Sequence, residues 1–201
     1  MLWGFMPRTK GYDREVILEK AMGLFWEGGY QATSLQKLVD NLGINKFSIY
    51  DAFADKHSFF LAALDRYREN VAANLRESLE DRDKGLQAIK DYFNAMAADL
   101  TMPEGRVGCL VQNSTLELVL SDPEVEKRIQ ETNKSFVDAI QAALVRAVGK
   151  GELNPSDDLR QKARLLFATA QGMIVLAKAH NDSESVREVC GQVCLLIDGW
   201  Q

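Results

Sequence analysis

The chain has 201 residues, of which 46% are hydrophobic and 26% are charged, as is usual for a water-soluble globular protein. Its three cysteines, an odd number, do not suggest a disulfide scaffold, and no apolar run approaches the roughly 20 residues of a membrane helix. We therefore expect a cytoplasmic protein that is not bound to a membrane. The net charge of −5 lies in residues 61–201, because residues 1–60 contain seven basic and seven acidic side chains. This neutral region does not by itself predict strong non-specific binding to nucleic acid.

The first predicted helix covers about residues 13–27. Asp13 is a suitable N-cap, Glu15 suits the positive end of the helix dipole, and Gly28 and Gly29 end the helix. Apolar residues recur between these ends at helical spacing and are expected to face a core. They are Val16, Ile17, Ala21, Leu24 and Phe25.

Two short helices joined by a tight turn follow. Thr33 and Gln36 have the spacing of a capping box, and Gly43 predicts the end of a helix over about residues 34–41. Asn45 is a second cap, which begins a helix over about residues 46–52. This order is typical of a helix-turn-helix, although an ordinary helical hairpin has the same spacing. The side chains of the second helix that are expected to face outward are Lys46, Phe47, Ser48, Tyr50 and Asp51.

The same region resembles the tetracycline-repressor (TetR) family in residues 29–34 (GYQATS), 42–50 (LGINKFSIY) and 53–56 (FADK). The detailed match covers about residues 13–60, and beyond them the resemblance is one of length and helical character. It implies an all-α homodimer that binds a palindromic operator, usually as a repressor, and that a small molecule in its larger domain releases from DNA. We accordingly expect a DNA-binding domain over residues 1–54 and a ligand-binding and dimerisation domain over residues 55–201.

The resemblance also implies which side chains contact double-stranded DNA. Tyr50 and Lys56 match family positions that contact or approach the phosphate backbone, and Thr33 and Ser34 match the start of a helix that also touches phosphate. Packing by Tyr50, simple hydration of Lys56 and mere capping by Ser34 are the alternatives. The variable positions that face the major groove are Lys46, Phe47, Ser48 and Asp51.

Two of these residues depart from the family pattern. Phe47 stands where the family often has a small residue, and Asp51 brings a negative charge close to DNA. An aspartate repels phosphate but can accept a hydrogen bond from cytosine. The operator sequence therefore cannot be inferred from relatives.

The rest of the chain is predicted to be helical. Asp55 caps a helix that extends to about residue 80, and a loop is expected at residues 101–108. Pro123 suits the first turn of a long helix. Helices are predicted at about residues 83–100, 109–120, 123–148, 157–180 and 184–199.

An apolar stripe runs along the last helix. In the resembled family, the final two helices of each subunit form a four-helix interface, so we expect a homodimer through this pair. Burial of the stripe within one monomer is the alternative. The residues of the stripe are Val186, Val189, Cys190, Val193, Cys194 and Ile197.

A pocket for an unknown small-molecule effector is expected in the larger domain. Its predicted lining consists of aromatic and apolar residues with two amides, although aromatic residues on helices also serve as ordinary core. The lining residues are Leu64, Tyr67, Phe93, Met96, Leu110, Asn113, Phe136, Phe167 and Gln171.

Reactive side chains are few. Cys109 follows a glycine-containing loop near Arg106 and stands at a predicted helix start, where a thiolate is stabilised. Redox sensing by Cys109 is one hypothesis, and burial beneath the loop is the alternative. Cys190 and Cys194, one helical turn apart, are beyond disulfide reach, and with His180 they match no compact zinc finger.

No enzyme signature is present in the sequence: there is no glycine-rich phosphate loop and no nucleophile elbow. We therefore expect a protein that is not an enzyme and that needs no cofactor and no metal. Two other classes of protein have the same helical pattern. They are a helical protein-interaction module without DNA binding and a small helical enzyme.

Overall fold

The computed structural model describes residues 12–81, 83–155, 158–179 and 183–200, and in these ranges the secondary structure is helical, without a strand. The expected all-α class is confirmed. Within the same ranges no helix is long and apolar enough to cross a membrane. A short 3-10 turn, Pro103–Val107, separates the fifth and sixth helices. The helices are α1 (Arg14–Gly28), α2 (Leu35–Leu42), α3 (Lys46–Phe53), α4 (Lys56–Leu79), α5 (Leu86–Leu100), α6 (Leu110–Leu118), α7 (Pro123–Gly149), α8 (Leu159–Ala179) and α9 (Ser183–Asp198).

The chain forms two compact units, residues 1–66 and residues 67–201, and α4 belongs to both. In the first unit, the predicted caps at Asp13, Asn45 and Asp55 are confirmed. The Asp13 carboxylate accepts a hydrogen bond of 2.9 Å from the N–H of Glu15, and Asp55 accepts one of 2.7 Å from the N–H of Ser58. These side chains satisfy N–H groups that a helix start leaves without a backbone partner.

Val16 is not part of the core, contrary to the prediction. The buried face of α1 consists of Ile17, Leu18, Ala21, Met22 and Phe25, whereas Val16 is 50% exposed. Val16 lies about 100° around the helix from Ile17 and is therefore on the flank of this face.

The second unit has one hydrophobic core, in which α7 packs on α8 and α5 packs on α9. Burial of each large apolar side chain contributes about 1.5–3 kcal/mol, so this core stabilises the second unit. Side chains with almost no exposed surface come from each of these helices and from the end of α4. They include Leu79, Leu86, Ile89, Phe93, Ile140, Leu144, Leu166, Ala170, Val186 and Ile197.

The apolar stripe of α9 belongs mainly to this core. Val186, Cys190, Val193 and Ile197 are buried within the single chain, while Val189 and Cys194 are partly buried. The interpretation of the stripe as a dimer surface is therefore wrong for its central residues. They are occupied by packing in the monomer, chiefly against α5.

The fifth helix begins three residues later than predicted. The backbone N–H of Asp83 donates a 2.9 Å hydrogen bond to the Asp81 carboxylate, which forms a local turn before the helix. The first turn of α5 is completed from a distant loop, since the carboxylate of Glu152 accepts a 2.6 Å hydrogen bond from the N–H of Leu86. A local sequence pattern cannot predict this tertiary cap.

Gly105 lies where the 3-10 turn meets the end of α5. A Cβ at Gly105 would lie 2.4 Å from the carbonyl oxygen of Asp99 and 2.7 Å from the Cα of Leu100. Both are backbone atoms, so they cannot move aside without displacing the helix end. The close approach therefore requires glycine.

We expect Gly105→Ala to lower the free energy of unfolding by about 1–3 kcal/mol, measured by urea denaturation, because the added methyl group overpacks this contact. Gly149→Ala is the matched control, since a Cβ there meets nothing within 4 Å. The control is expected to leave the stability unchanged or slightly higher. Equal stability of Gly105→Ala and the unsubstituted protein would contradict the close contact.

Candidate nucleic-acid interface

Helices α2 and α3 form the predicted helix-turn-helix of the first unit. Gly43 follows α2 with a φ of 67°, a left-handed conformation that favours glycine, and its N–H donates to the carbonyl of Val39. Asn45 then begins α3 by accepting a 2.8 Å hydrogen bond from the N–H of Ser48. The connection is a three-residue turn, as in DNA-binding helix pairs.

A cluster of aromatic rings holds α3 in place. Phe53, at the end of α3, stacks on Phe59 of α4 with ring centroids 3.9 Å apart. Phe25 of α1 meets Phe59 and Phe60 edge to face, at 6.2 Å and 5.2 Å. Ile49 is also fully buried, so α3 exposes the face opposite Ile49 and Phe53.

The predicted DNA-reading side chains lie on this exposed face. Phe47 is 79% exposed, which is unusual for a phenylalanine of a folded domain, and Tyr50 is 44% exposed. Lys46 and Asp51 are also exposed, and Ser48 is half-buried. The ammonium group of Lys46 lies 5.8 Å from the centre of the Tyr50 ring. The structure therefore groups a cation, a carboxylate and two aromatic rings on one short helix.

Tyr12 is a positioning residue that the sequence interpretation missed. Its hydroxyl donates a 3.1 Å hydrogen bond to the carbonyl of Ser48, which links the segment before α1 to α3. Arg14 adds a second link, because its guanidinium lies 4.6 Å from the centre of the Phe53 ring. A contact across 36 residues leaves no local signal in the sequence.

The structure corrects the role of Thr33. Ser34, not Thr33, caps α2, and its hydroxyl accepts a 3.1 Å hydrogen bond from the N–H of Lys37. The Thr33 side chain is fully buried and donates to the carbonyl of Leu24 in α1. It therefore joins α1 to the start of α2 and cannot offer its hydroxyl to phosphate, whereas the Ser34 residue is exposed.

Lys56, at the first position of α4, is held by an aromatic ring. Its ammonium group lies 4.2 Å from the centre of the Tyr30 ring, a cation–π contact that fixes the direction of the side chain. The preceding Asp55 stays ionised, because hydrogen bonds from Ser58 hold the pKa of its carboxyl below the usual value. Lys56 thus projects from a well-capped helix start.

Several of the predicted effector residues are part of the hydrophobic core, and the effector roles of the set stay a prediction. Leu64 is fully buried in the first unit, and Phe93 and Leu110 are fully buried core of the second. Phe136 and Phe167 pack against each other with ring centroids 5.4 Å apart. Because these aromatic side chains fill space with one another, they serve as core.

The two amide side chains of the predicted lining also have hydrogen-bond partners within the chain. Gln171 accepts a 3.0 Å hydrogen bond from the side chain of Gln112, and the side-chain oxygen of Asn113 accepts one of 2.6 Å from Lys178. These contacts tie α6 to α8. The ligand-binding roles of Asn113 and Gln171 stay predictions.

The described residues form a cleft of about 340 Å³ between α4 and α5. Only Met96 of the predicted lining belongs to it. Sequence reasoning missed the other members because they are ordinary residues of two amphipathic helices and meet only in the folded chain. The lining residues are Val71, Asn74, Leu75, Glu77, Ser78, Tyr92, Ala95, Met96 and Asp99.

Cys109 lies at the N-cap position of α6 and is half-buried. It is hydrogen-bonded to Tyr67, and burial together with Cys109 raises the pKa of the Tyr67 phenol above its usual value. The thiol is thus next to a neutral phenol. Redox sensing by Cys109 stays a prediction. Burial raises the pKa of Cys190 to about 11, so that thiol is unreactive near neutral pH.

A helix-turn-helix with an exposed second helix, followed by a helical body, is typical of DNA-binding transcriptional regulators. Known proteins of this class are similar over nearly the whole chain. The HTH-type transcriptional regulator YezE of Bacillus subtilis is 34% identical over 184 residues, which cover 91% of this chain and 95% of that protein. The HTH-type transcriptional repressor ComR of Escherichia coli is 31% identical over 185 residues, covering 92% of this chain and 88% of that one.

The same fold occurs in solved structures. A cysteine mutant of the TetR family regulator CifR, complexed with 26-base-pair operator DNA, has a TM-score of 0.85 at 24% identity, over 94% of this chain and 98% of that chain. Residues 17–63 match the model "Bacterial regulatory proteins, tetR family", and residues 85–193 match "Tetracyclin repressor-like, C-terminal domain". The chain belongs to the TetR family of transcriptional regulators, which confirms the predicted family and general function.

Ala54, between α3 and α4, has a φ of 65° and a ψ of −53°, and it is the one residue other than glycine with a positive φ in the described ranges. Such a conformation costs an alanine about 1–3 kcal/mol. We expect Ala54→Gly to raise the free energy of unfolding by about 1 kcal/mol, after roughly 0.5–1 kcal/mol is lost to the more flexible unfolded chain. Chemical denaturation measures the change.

Ala52→Gly is the matched control, because Ala52 lies within α3. There glycine is expected to lower the free energy of unfolding by up to about 1 kcal/mol, because Ala52 keeps helical dihedral angles that glycine favours less than alanine does. A loss of stability in both variants would show that Ala54 is not strained.

Proposed function

We propose that the protein is a ligand-responsive repressor that binds a palindromic operator as a homodimer in the cytoplasm. The proposal rests above all on the exposed face of α3, which presents side chains that suit the major groove. The repressor ComR and the operator-bound CifR structure support it by likeness. A two-fold operator requires two recognition helices about 34 Å apart, which a pair of chains supplies.

Phosphate contacts are assigned to three elements. The first turn of α2, next to the exposed Ser34, carries backbone N–H groups and the positive end of a helix dipole, which favour phosphate. The Tyr50 hydroxyl stands on a rigid ring at the solvent side of α3. Lys56 adds a positive charge that the Tyr30 ring holds in a defined direction. Thr33 is left out of this set because its side chain is buried.

Base reading is assigned to the first turns of α3. Phe47 offers an apolar surface that suits a thymine methyl group, and Asp51 can accept a hydrogen bond from the amino group of cytosine. Lys46 can donate to guanine, and Ser48 to several bases. We infer that these four residues specify the operator sequence, while the phosphate contacts set the register.

We expect Tyr50→Phe to weaken operator binding about 100-fold, because it removes one hydrogen bond to a charged group from each of the two subunits. We expect Lys56→Ala to weaken binding and to reduce the slope of log K against log salt by about 2, since each subunit of the dimer loses one phosphate contact. Fluorescence anisotropy at several salt concentrations, with an operator selected from genomic fragments, measures both.

Lys20→Ala is the control for charge, because Lys20 is exposed on α1 and has no assigned contact. It is expected to leave the salt slope unchanged. If a well-folded dimer selects no sequence even at low salt, the chain is a helical interaction module and the repressor proposal fails.

The dimer surface is assigned to a different face from the buried stripe of α9. Leu165, Ala168, Gly172, Val175 and Ala179 are exposed on α8 at alternating spacings of three and four residues, which is the spacing of a helix–helix seam. A Cβ at Gly172 would meet nothing within 4 Å in the single chain. Small residues allow a second helix to approach closely, so this stripe fits a helix of another copy.

The exposed side of α9 extends the surface. Leu195 and Leu196 are exposed there despite their size, and Gly191 lies one turn before Leu195. Together with the α8 stripe they supply an apolar surface that one chain leaves uncovered. We infer that α8 and α9 of two copies form the four-helix interface.

We expect Leu165→Glu combined with Val175→Glu to weaken dimerisation about 100-fold or more, because each side chain is about half exposed in the single chain and would bury a charge at the interface. Light scattering coupled to gel filtration measures the mass. Leu120→Glu is the control, since Leu120 is a fully exposed leucine outside α8 and α9. A double variant that stays dimeric at the same concentrations would place the interface elsewhere.

We infer that an effector releases the protein from DNA by shifting the population between two conformations of the dimer. A ligand weakens DNA binding only if it binds more tightly to the conformation whose two recognition helices do not match the operator spacing. The ligand site therefore belongs in the second unit, where its lining can change without unfolding the helix-turn-helix.

A further inference from the structure

The cleft between α4 and α5 lies entirely within the second unit. Its volume of about 340 Å³ is at the lower end of the range for small-molecule sites, which is about 300–1,000 Å³. Residues 71–78 of α4 supply one wall and residues 92–99 of α5 supply the other. The cleft is therefore large enough for a compact ligand of one or two rings.

The floor of the cleft is apolar and belongs to the core. Leu75 is buried, and Val71, Tyr92 and Met96 are partly buried and pack against the same core. The Tyr92 ring is held edge to face by Phe93 at 5.8 Å and by Phe136 at 5.7 Å. Burial raises the pKa of the Tyr92 phenol above its usual value, so it stays neutral. The floor is thus a fixed aromatic and thioether surface without charge.

The rim of the cleft is negatively charged. Glu77 and Asp99 lie on opposite walls, and no lysine or arginine belongs to the lining. Among the described residues, neither carboxylate takes part in a hydrogen bond or an ion pair, and the same holds for the side chains of Asn74 and Ser78. Other acids of the second unit do have partners, such as Asp91 with Lys84 and Asp198 with Lys90.

We propose that this cleft binds small organic cations that combine an apolar, preferably aromatic, body with an ammonium group. The aromatic body packs on Tyr92 and Met96, as flat rings and sulfur atoms do in protein cores. The ammonium group lies at the rim, where the negative charges of Glu77 and Asp99 attract a cation. This inference rests on the proposed ligand-responsive function and names the chemical class of the ligand.

Three probes that share a naphthalene ring system and differ in charge separate the effect of charge on binding from that of shape. They are 2-naphthylmethylammonium, the neutral 2-naphthalenemethanol and the anionic 2-naphthoate, each titrated into the full-length protein without DNA by calorimetry. We expect the cation to bind most tightly, the alcohol about tenfold more weakly and the anion more weakly still. The affinity of the cation is expected to fall as salt increases, because the rim carboxylates are exposed.

Variants locate the site. Glu77→Gln combined with Asp99→Asn is expected to weaken binding of the cation about tenfold and to leave binding of the alcohol unchanged. Glu80→Gln, three residues further along the chain and outside the lining, is the matched control for charge. Ala95→Trp is expected to fill the cleft and to abolish binding of the cation. Circular dichroism confirms that each variant is folded.

A labelled methionine gives a readout at the site itself. With carbon-13 methyl groups on the methionines, the signal of Met96, assigned with Met96→Leu, is expected to shift on addition of the cation. A cation that binds with no shift of Met96, or with equal affinity in the double carboxylate variant, overturns the proposal. So does an alcohol that binds as tightly as the cation.

The result is separable from the proposed regulatory function. Operator binding without cation binding would overturn only the ligand class. Binding of the cation at Met96 in a protein that selects no operator would support the site and contradict the repressor. A protein that binds both the operator and the cation would support both proposals if the cation weakens operator binding. This weakening must occur in the unsubstituted protein and be absent in Ala95→Trp.

Discussion

The packing of four phenylalanine rings between α1, α3 and α4 is the constraint on which the proposed DNA-binding surface depends. An isolated helix of eight residues is not stable in water, so α3 owes its existence to tertiary contacts. Burial of one such ring contributes about 2–3 kcal/mol, and edge-to-face pairs add to this. The caps and the glycine turn then set where α3 begins. The caps and the turn set the boundary of α3, whereas the packing of the rings makes the helix stable.

The neutral charge of residues 1–60 agrees with this arrangement. Several acids of the first unit have structural roles: Asp13 and Asp55 cap helices, and Glu15 forms an ion pair with Arg66. These carboxylates offset the basic residues in the total without lying on the exposed face of α3. A unit with little net charge binds random DNA weakly. Its affinity for an operator must then come from defined contacts of a few side chains, which favours discrimination between sequences.

The helix ends could be predicted from the sequence because caps and glycine stops act through local backbone geometry. The choice between two neighbouring N-cap residues could not be predicted from the sequence. Thr33 and Ser34 are both good N-caps, and what separates them is the carbonyl of Leu24, nine residues earlier, which takes the Thr33 hydroxyl into the interior. Tyr12 was missed for a similar reason, since its partner Ser48 is distant in the chain.

Periodicity also failed to distinguish the monomer core from a surface for a second copy. The stripe of α9 is apolar because it packs in the core, and an interface stripe has the same composition. The exposed stripe of α8 becomes visible only when burial is known, because Leu165 and Val175 are as apolar as the core residues of the same helix. The cleft between α4 and α5 is the feature that is hardest to predict from the sequence. Its two walls lie on different helices, and the residues that give it charge, Glu77 and Asp99, look like ordinary surface residues.

The magnitudes in the cleft favour a ligand with both an apolar body and a charge. Two exposed ion pairs contribute at most about 2 kcal/mol together, and about 100 Å² of buried apolar surface contributes roughly 2.5 kcal/mol. Neither contribution alone matches the cost of immobilising a ligand, so a bare inorganic cation or a neutral hydrocarbon binds poorly.

The coupling between the ligand site and the DNA site is reciprocal. A ligand that weakens operator binding 100-fold is itself bound 100-fold more weakly when the protein is on DNA. This factor corresponds to a free-energy difference of about 2.7 kcal/mol. That difference is comparable to the whole contribution of either the rim or the floor. An effector at this site can therefore release DNA only if the conformational change reaches the cleft itself, and α4, which carries Lys56 at one end and Leu75 near the other, is the element common to both.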